Sequence, residues 1–332
     1  MFTLSVIIPV YNGEKFISHA VRSALQCPEV TEILIINDGS TDNTLIECKK
    51  FIGEDKVNIF HHEGRLNQGV SSSRNLGIKV AKSELIAFLD VDDLFLPNRF
   101  EHDFFLFKKN PEIDGVYNAL GFNYLSEKGK KQYDEKGIIG LTTVSEISTP
   151  EHLPYVLLGV SPIHGYFSGV AFTVKKSLFS ITGYFNESLT IGEDTELWLK
   201  MSIKGHLVGG VIDRPVALRG VHDSNTIVNE KNPNLSKKKM FEELLKWVKS
   251  NNVNKNIVHL IDNFVLAYRI RNHEITPSFR LIMFKIKEHP KNIYHQFLID
   301  TLVSTLFNET KLVTLLLRIK NKTFKIFNLK PY

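Results

Sequence analysis

Ser83-Glu84-Leu85-Ile86-Ala87-Phe88-Leu89-Asp90-Val91-Asp92-Asp93 decides how this chain is read. The apolar run has the length of a buried strand and ends in three carboxylates within four residues, so a sheet delivers clustered negative charge to its own edge. Carboxylates this close raise one another's pKa unless a cation compensates them, and hard oxygen donors suit Mg²⁺ or Mn²⁺. The competing reading is an acidic turn that caps the next helix, because Asp clusters are also ordinary turn chemistry. A calcium loop is excluded. Counting from Asp90, Leu94 falls at the fifth ligand position and Phe95 where the turn glycine is required.

Upstream, Leu4–Val10 reads as a buried strand stopped by Pro9 and followed by the turn Tyr11-Asn12-Gly13. A helix over about Glu14–Gln26, a strand over Glu32–Ile36 and a polar turn over Asn37–Asp42 follow, with Ser40 or Thr41 as candidate helix cap. Val57–Phe60 and Gly69–Lys82 continue the alternation of strand and helix into the stretch quoted first. Successive βαβ units predict a parallel sheet, whose ligands sit beyond the carboxyl ends of its strands. Tyr11, Asp38 and Asp90 all lie at such ends, so they should converge. Neither GxGxxG after the first strand nor GxxxxGK[ST] anywhere is present, which removes the main support for dinucleotide-binding and P-loop readings.

Downstream, Pro97 should open a helix to about Lys109, and a strand is expected over Gly115–Tyr124, followed by a polar turn over Glu127–Lys136. Further strands are expected over Ser168–Val174, His206–Ile212 and Val216–Val221, and mostly helices beyond Asn232. Gly192-Glu193-Asp194-Thr195-Glu196 reads as a loop entering a helix with acids in its first turn, which is also ordinary dipole complementation.

The chain has 332 residues, 43% of them hydrophobic, which suffices for a large domain with an appended module. Two cysteines, Cys27 and Cys48, without metal-ligand spacing argue against a disulfide scaffold or a structural zinc. A cytoplasmic protein with reduced thiols is expected, with neither signal peptide nor membrane span. The net charge of +5 is unevenly spread: residues 1–230 carry 22 Lys/Arg against 29 Asp/Glu, and residues 231–332 carry 19 against 7. The two parts are therefore expected to face different partners. Lys311–Lys320 and the lysines after it interleave basic and apolar residues, the composition of an interfacial helix that meets the inner face of an anionic membrane. The alternative is a helix that packs its apolar face on protein.

Taken together, Ser5–Asn12, Asn37–Asp42, Asn67–Gly77, Phe88–Asp93 and Gly192–Leu199 resemble family 2 glycosyltransferases, inverting enzymes of the GT-A fold that use nucleotide-sugar donors. The resemblance covers about residues 3–225. It implies an α/β fold, GT-A and Rossmann-like, with a mostly parallel central sheet flanked by helices. Residues 1–225 would be the catalytic domain, divided into a donor-binding part, 1–110, and an acceptor side, 111–225. Residues 226–332 would form a basic, mainly helical extension.

The same resemblance implies that Pro9, Tyr11, Asp38 and Arg74 hold the donor nucleotide. Asp90-Val91-Asp92 matches the family's DxD motif for a divalent metal, Mn²⁺ or Mg²⁺, and Asp90 and Asp93 approach the donor, a UDP-sugar. Glu193-Asp194 matches its ED motif, with Asp194 as general base. His222 matches a histidine near the metal or diphosphate, against the plain reading of a loop histidine. The implied acceptor is a glycan or lipid-linked hydroxyl in cell-surface polysaccharide synthesis, and residues 115–165 carry no motif that identifies it. Two other readings share these features: a nucleotide-sugar binding module without catalysis, and a nucleotidyltransferase, which would need a Gly- and Arg/Lys-rich loop where this chain has Val10–Lys15. No nucleic-acid motif accompanies the basic tail, and a homo-oligomer stays open.

Overall fold

The computed structural model describes residues 2–138, 140–223, 225, 231–272 and 274. The chain divides into two compact units, residues 1–231 and residues from Asn232 onward. The basic stretch from Lys311 and the membrane reading placed on it lie outside the described residues.

The first unit is built on a seven-stranded sheet. Strand β1 (Leu4–Val10) is buried along its whole length and pairs in parallel with β2 (Glu32–Asn37) on one side and β4 (Leu85–Phe88) on the other. Strand β3 (Val57–His61) extends β2 in parallel. Between these strands run α1 (Ile17–Leu25), α2 (Thr44–Lys49) and α3 (Val70–Val80). A parallel sheet covered on both faces needs continuous apolar strands, and Leu4, Val6, Ile7, Ile8, Ile33, Leu34, Ile35 and Ile36 are all within 1% of complete burial. Strand β1 runs one residue past Pro9. Ser40 and Thr41 do not cap α2. Its N-cap is Asn43, and Asp42 accepts from the Thr44 N–H at 3.0 Å.

Beyond β4 the order of the sheet departs from the order of the chain. The full sequence of strands is β3-β2-β1-β4-β8-β6-β9, with β8 (Phe172–Lys175) antiparallel to both β4 and β6 (Gly115–Tyr117), and β9 (Leu207–Gly209) parallel to β6. A second, three-stranded sheet has the order β5-β10-β7, from β5 (Leu94–Phe95), β10 (Pro215–Val221) and β7 (Ala119–Tyr124). The single strand expected over Gly115–Tyr124 is therefore two strands in two sheets. The break is Asn118, fully buried, whose Nδ2 donates to Asp103 Oδ1 (3.0 Å) while its Oδ1 accepts from Val211 N (2.7 Å). Its amide supplies the partners that a continuing ladder would have supplied.

Three further expectations are corrected. The helix after Pro97 starts only at Glu101 (α4, Glu101–Lys109), because residues 97–100 form a turn that sends Arg99 inward. Arg99 is buried, donates to Val170 O (3.0 Å) and pairs with Asp103 at 2.9 Å, and Asp103 in turn accepts from Thr173 Oγ1 (2.6 Å). The strand expected over Ser168–Val174 begins only at Phe172, since Gly169–Ala171 is a 3₁₀ turn whose Val170 carbonyl is held by that arginine. The polar turn expected over Glu127–Lys136 is a helix, α5 (Glu127–Glu135). Ser126 caps it by accepting from Gly129 N (3.0 Å), and Tyr133 is buried against Phe122.

Helices α6 (Leu153–Leu157), α7 (Phe179–Thr182) and α8 (Glu193–Lys204) complete the first unit. Its second core layer is aromatic: Phe88, Phe172, Phe185 and Trp198 lie ring against ring with centroids 5.0–6.2 Å apart. The second unit contains α9 (Pro233–Ser250) and α10 (Lys255–Arg271), which pack through Phe241, Phe264 and Tyr268. Among the described residues no helix is long and apolar enough to cross a membrane.

Candidate active site

The loops that follow β1, β2 and β4 meet at the carboxyl edge of the sheet, and side chains tie them together. Asn12 N donates to Ser40 Oγ (3.0 Å), Thr41 N donates to Asn12 Oδ1 (2.8 Å), and Gly13 N donates to Thr44 Oγ1 (2.8 Å). Pro9 is buried in β1, whereas Tyr11 stands half exposed at the strand's end. Asp38 is buried, and its two oxygens accept from Gln68 N (2.7 Å) and Gly69 N (2.9 Å). Because Gly69 is the N-cap of α3, Asp38 fixes where that helix starts. His62 Nε2 lies 3.5 Å from the same carboxylate and 3.0 Å from Ser73 Oγ.

Helix α3 carries Arg74, the hub of the cleft. Nη1 donates to Glu193 Oε1 (3.0 Å) and Nη2 to Asp90 Oδ1 (2.7 Å), and the guanidinium lies 5.2 Å from the centre of the Phe185 ring. Residues that stand 119 apart in the chain are thereby joined. The Asp90 and Glu193 carboxylates hold the guanidinium pKa above its ordinary value although burial opposes this. Glu193 is pushed up to about 7, first by burial and then by the Asp194 charge, with Arg74 opposing. Glu193 and Asp194 open α8 after Gly192, which sits at φ +84° where a side chain would be strained. Asp194 is half-buried and accepts from Thr195 N (2.6 Å).

On the other side of the acidic turn, Asp92 Oδ2 meets His222 Nε2 at 2.9 Å, and Asn225 Nδ2 donates to the same oxygen at 3.3 Å. The hydrogen bond to Asp92 raises the His222 pKa above its ordinary value, against burial. Asp93 points inward, fully buried, and accepts from Gly220 N at 2.9 Å. Its pKa is raised well above the ordinary value by burial first, and then by Asp92 and Asp90. The structure thus brings Asp92 to His222 and turns Asp90 toward Arg74. Among the described residues no three His, Cys, Asp or Glu side chains form a ready metal cage. A carboxylate oxygen and an imidazole nitrogen side by side are nevertheless a donor pair of the kind that suits a divalent ion.

A cleft opens between these groups, lined by Arg74, Phe88, Asp90, Ser168, Asp194, Trp198 and Arg219. Sequence reasoning missed Ser168, Trp198 and Arg219. Two of them had signals. Trp198 stands four residues after Asp194, hence on the same helix face, and Arg219 is a lone charge inside the otherwise apolar run of β10. Arg219 donates to Ser168 Oγ at 3.1 Å, and the neighbouring Asp93 holds its pKa up. Both cysteines are free and buried, and burial pushes each thiol up to about 11.

A mostly parallel sheet whose acidic turn faces an Arg-bridged Glu-Asp pair defines a class, and comparison with known proteins gives the family. Residues 5–178 match the family described as Glycosyl transferase family 2. The chain belongs to that family. An uncharacterized glycosyltransferase of Rickettsia felis is 33% identical over 202 residues, covering 60% of this chain and 31% of the relative. The minor teichoic acid biosynthesis protein GgaB of Bacillus subtilis is 31% identical over 201 residues, 59% of this chain and 20% of the relative. The chain therefore spans about a third of the first relative's length and less of the second's. Among solved structures, S. aureus TarS 1-349 in complex with UDP-GlcNAc superposes with a TM-score of 0.61 at 17% identity, covering 91% of this chain and 80% of that one. Mannosyltransferase PcManGT from Pyrobaculum calidifontis, in complex with GDP-Man and Mn²⁺, gives 0.52 at 14% identity, covering 92% and 88%. These likenesses show the GT-A-type fold.

Proposed function

We propose that this protein is a metal-dependent, inverting glycosyltransferase that moves a sugar from a UDP-sugar to a hydroxyl acceptor in cell-surface polysaccharide synthesis. One observation carries the reading: Arg74 joins Asp90 of the acidic turn to Glu193, Asp90 and Asp194 line one cleft beside it, and Asp92 of the same turn meets His222. Pro9, Tyr11 and Asp38 bound the nucleoside side, and Asp38 also orders the loop that presents Gln68 and Gly69. Asp92 and His222, with Asp90 beside them, would hold Mn²⁺ or Mg²⁺. When bound, the ion stabilises the charge of the departing diphosphate. Asp194 lines the cleft whereas Glu193 is committed to Arg74, so Asp194 is the group placed to take the acceptor's proton. The acceptor oxygen then bonds to the anomeric carbon as the bond to the diphosphate breaks, and a single displacement inverts the configuration.

The solved relative that holds UDP-GlcNAc supports a nucleotide-sugar donor, and the one that holds Mn²⁺ supports a divalent metal. The relative named for teichoic acid biosynthesis supports a glycan or lipid-linked envelope acceptor. The excess of 19 Lys/Arg over 7 Asp/Glu in residues 231–332 supports cytoplasmic residence with peripheral contact at an anionic membrane face. Purified protein should release nucleoside diphosphate from one nucleotide sugar in a donor screen, with divalent metal required. Full activity in excess EDTA sinks the metal dependence, and release from no donor sinks the enzyme reading in favour of a binding module. Cosedimentation that is equal for anionic and neutral vesicles, or unchanged after truncation at Phe307, sinks the membrane contact.

A further inference from the structure

We infer that Phe16, Gly129 and Gly220 form a three-sided clamp that positions His222 against Asp92, with α5 as its outer jaw. The inference rests on the metal reading for its purpose, though not for its geometry. On one side, Gly220 of β10 crosses the acidic turn so closely that a Cβ there would fall 2.1 Å from the Asp92 carbonyl oxygen. The neighbouring Asp93 carboxylate accepts from the Gly220 N–H and locks that crossing. On the second side, a Cβ on Gly129 would fall 2.7, 2.8 and 3.0 Å from Cα, C and N of His222. On the third, the Phe16 ring stacks on the imidazole with centroids 5.4 Å apart and planes 15° from parallel.

Helix α5 has little other reason to carry a glycine. Its Lys128 and Lys131 side chains are 71% and 79% exposed, and a Gly weakens a helix relative to Ala. Tyr133, buried against Phe122, holds the helix down, and Gly129 lets its backbone reach the backbone of His222. Contacts between backbones yield less than contacts between side chains, so they make the firmer stops. The two glycines fix the spacing of the Asp92 and His222 backbones, and Phe16 fixes the imidazole plane. A ligand pair needs such control because metal–ligand distances are tolerated only within about 0.2 Å.

Full-length Gly129→Ala, Phe16→Ala and Phe16→Tyr test this by two measurements: ¹⁵N NMR of the His222 imidazole without metal, and Mn²⁺ affinity by EPR titration with UDP present. Gly129→Ala should move the imidazole resonances and weaken Mn²⁺ binding by about 10- to 100-fold, the effect expected for a residue that orients a ligand. Its helix should persist, since Ala is the better helix former. Phe16→Ala should act in the same direction and Phe16→Tyr should restore both readouts, which a general loss of packing would not do. Lys131→Ala, on the exposed face of α5, should change neither. Unchanged imidazole signals and Mn²⁺ affinity in Gly129→Ala and Phe16→Ala overturn the clamp. If the unmodified chain binds no Mn²⁺ with UDP while the imidazole signals of the variants still move, the clamp stands and the metal reading falls.

Discussion

Residues 4–95 and residues 111–222 build one site in opposite ways. In the first region, successive strands lie side by side and in parallel, so each strand end delivers its polar residue to the same edge of the sheet by local chain geometry alone. In the second, the chain crosses between two sheets at Asn118, runs antiparallel in β8, and brings Glu193 and His222 back from far along the sequence. The first region is held by parallel backbone ladders, and the second joins it through the antiparallel pairs β4–β8 and β5–β10 and through ionic contacts at the site. Substitutions across the join should therefore reveal which contacts serve chemistry and which serve assembly.

The largest effect is expected at Asp92, where both regions meet. Asp92→Asn should lower transfer on the order of a thousandfold or more without unfolding the protein, through lost stabilisation of the leaving diphosphate. Near-parental rates in this variant would detach the acidic turn from the chemistry. Asp194→Asn, which alters the second region alone, should cost about 10²–10⁴-fold in turnover with donor affinity nearly intact. Calorimetry that finds donor binding abolished would move Asp194 to the donor side of the comparison.

Arg74→Ala leaves two carboxylates without their cation. Breaking a buried ion pair costs about 3–5 kcal/mol, and the partial exposure of Asp90 puts the expectation toward the lower end, read by urea unfolding. Donor affinity should fall with it, and Arg74→Lys should not fully restore either, because one ammonium cannot span both carboxylates as the guanidinium fork does. Asp38→Ala is confined to the first region. It strips two backbone N–H groups of their acceptor, about 1–3 kcal/mol, and should raise the donor KM. An unchanged KM would refute the nucleoside assignment.

The smallest effect is a pH slope. Glu193 is pushed up to about 7 in the folded protein, so folding takes up a proton between its ordinary value and that one. Its contribution to stability is fully present below about pH 4.5 and is lost as the pH rises through about 7. Glu193→Gln has no such charge to bury, so its melting temperature should gain on the parent's between about pH 5 and about pH 8. A gain in the opposite direction would mean that the Arg74 pair outweighs burial.

The same division governs what could be read in advance. Strands β1, β2 and β4 were legible because burial on both faces demands continuous apolar runs, and Leu4–Val10 and Glu32–Asn37 are such runs. Helix α5 was not legible, since its polar surface hides a cap at Ser126 and two inward residues, Gly129 and Tyr133, whose partners lie elsewhere in the chain. The strand over Gly115–Tyr124 was misread as continuous because nothing local announces that Asn118 will spend its side chain on Asp103 and Val211. Helix α4 began later than expected for a related reason: Arg99 looks like a surface residue until Asp103, Val170 and the Phe100 ring surround it.

By itself the sequence determined the alternation of strand and helix, the edge of the sheet where acids gather, and the identities of the acids. The first two follow from periodicity and spacing, which act over a few residues, and the third from the resemblance of the acidic motifs to those of the family. Only the tertiary structure decided which acid faces which partner: Asp90 to Arg74, Asp92 to His222, Asp93 to the backbone of Gly220, and Glu193 away from the cleft that Asp194 lines. Those pairings depend on burial and, apart from Asp90 with Arg74, on groups brought together across more than a hundred residues, and neither is expressed in the local pattern of the chain.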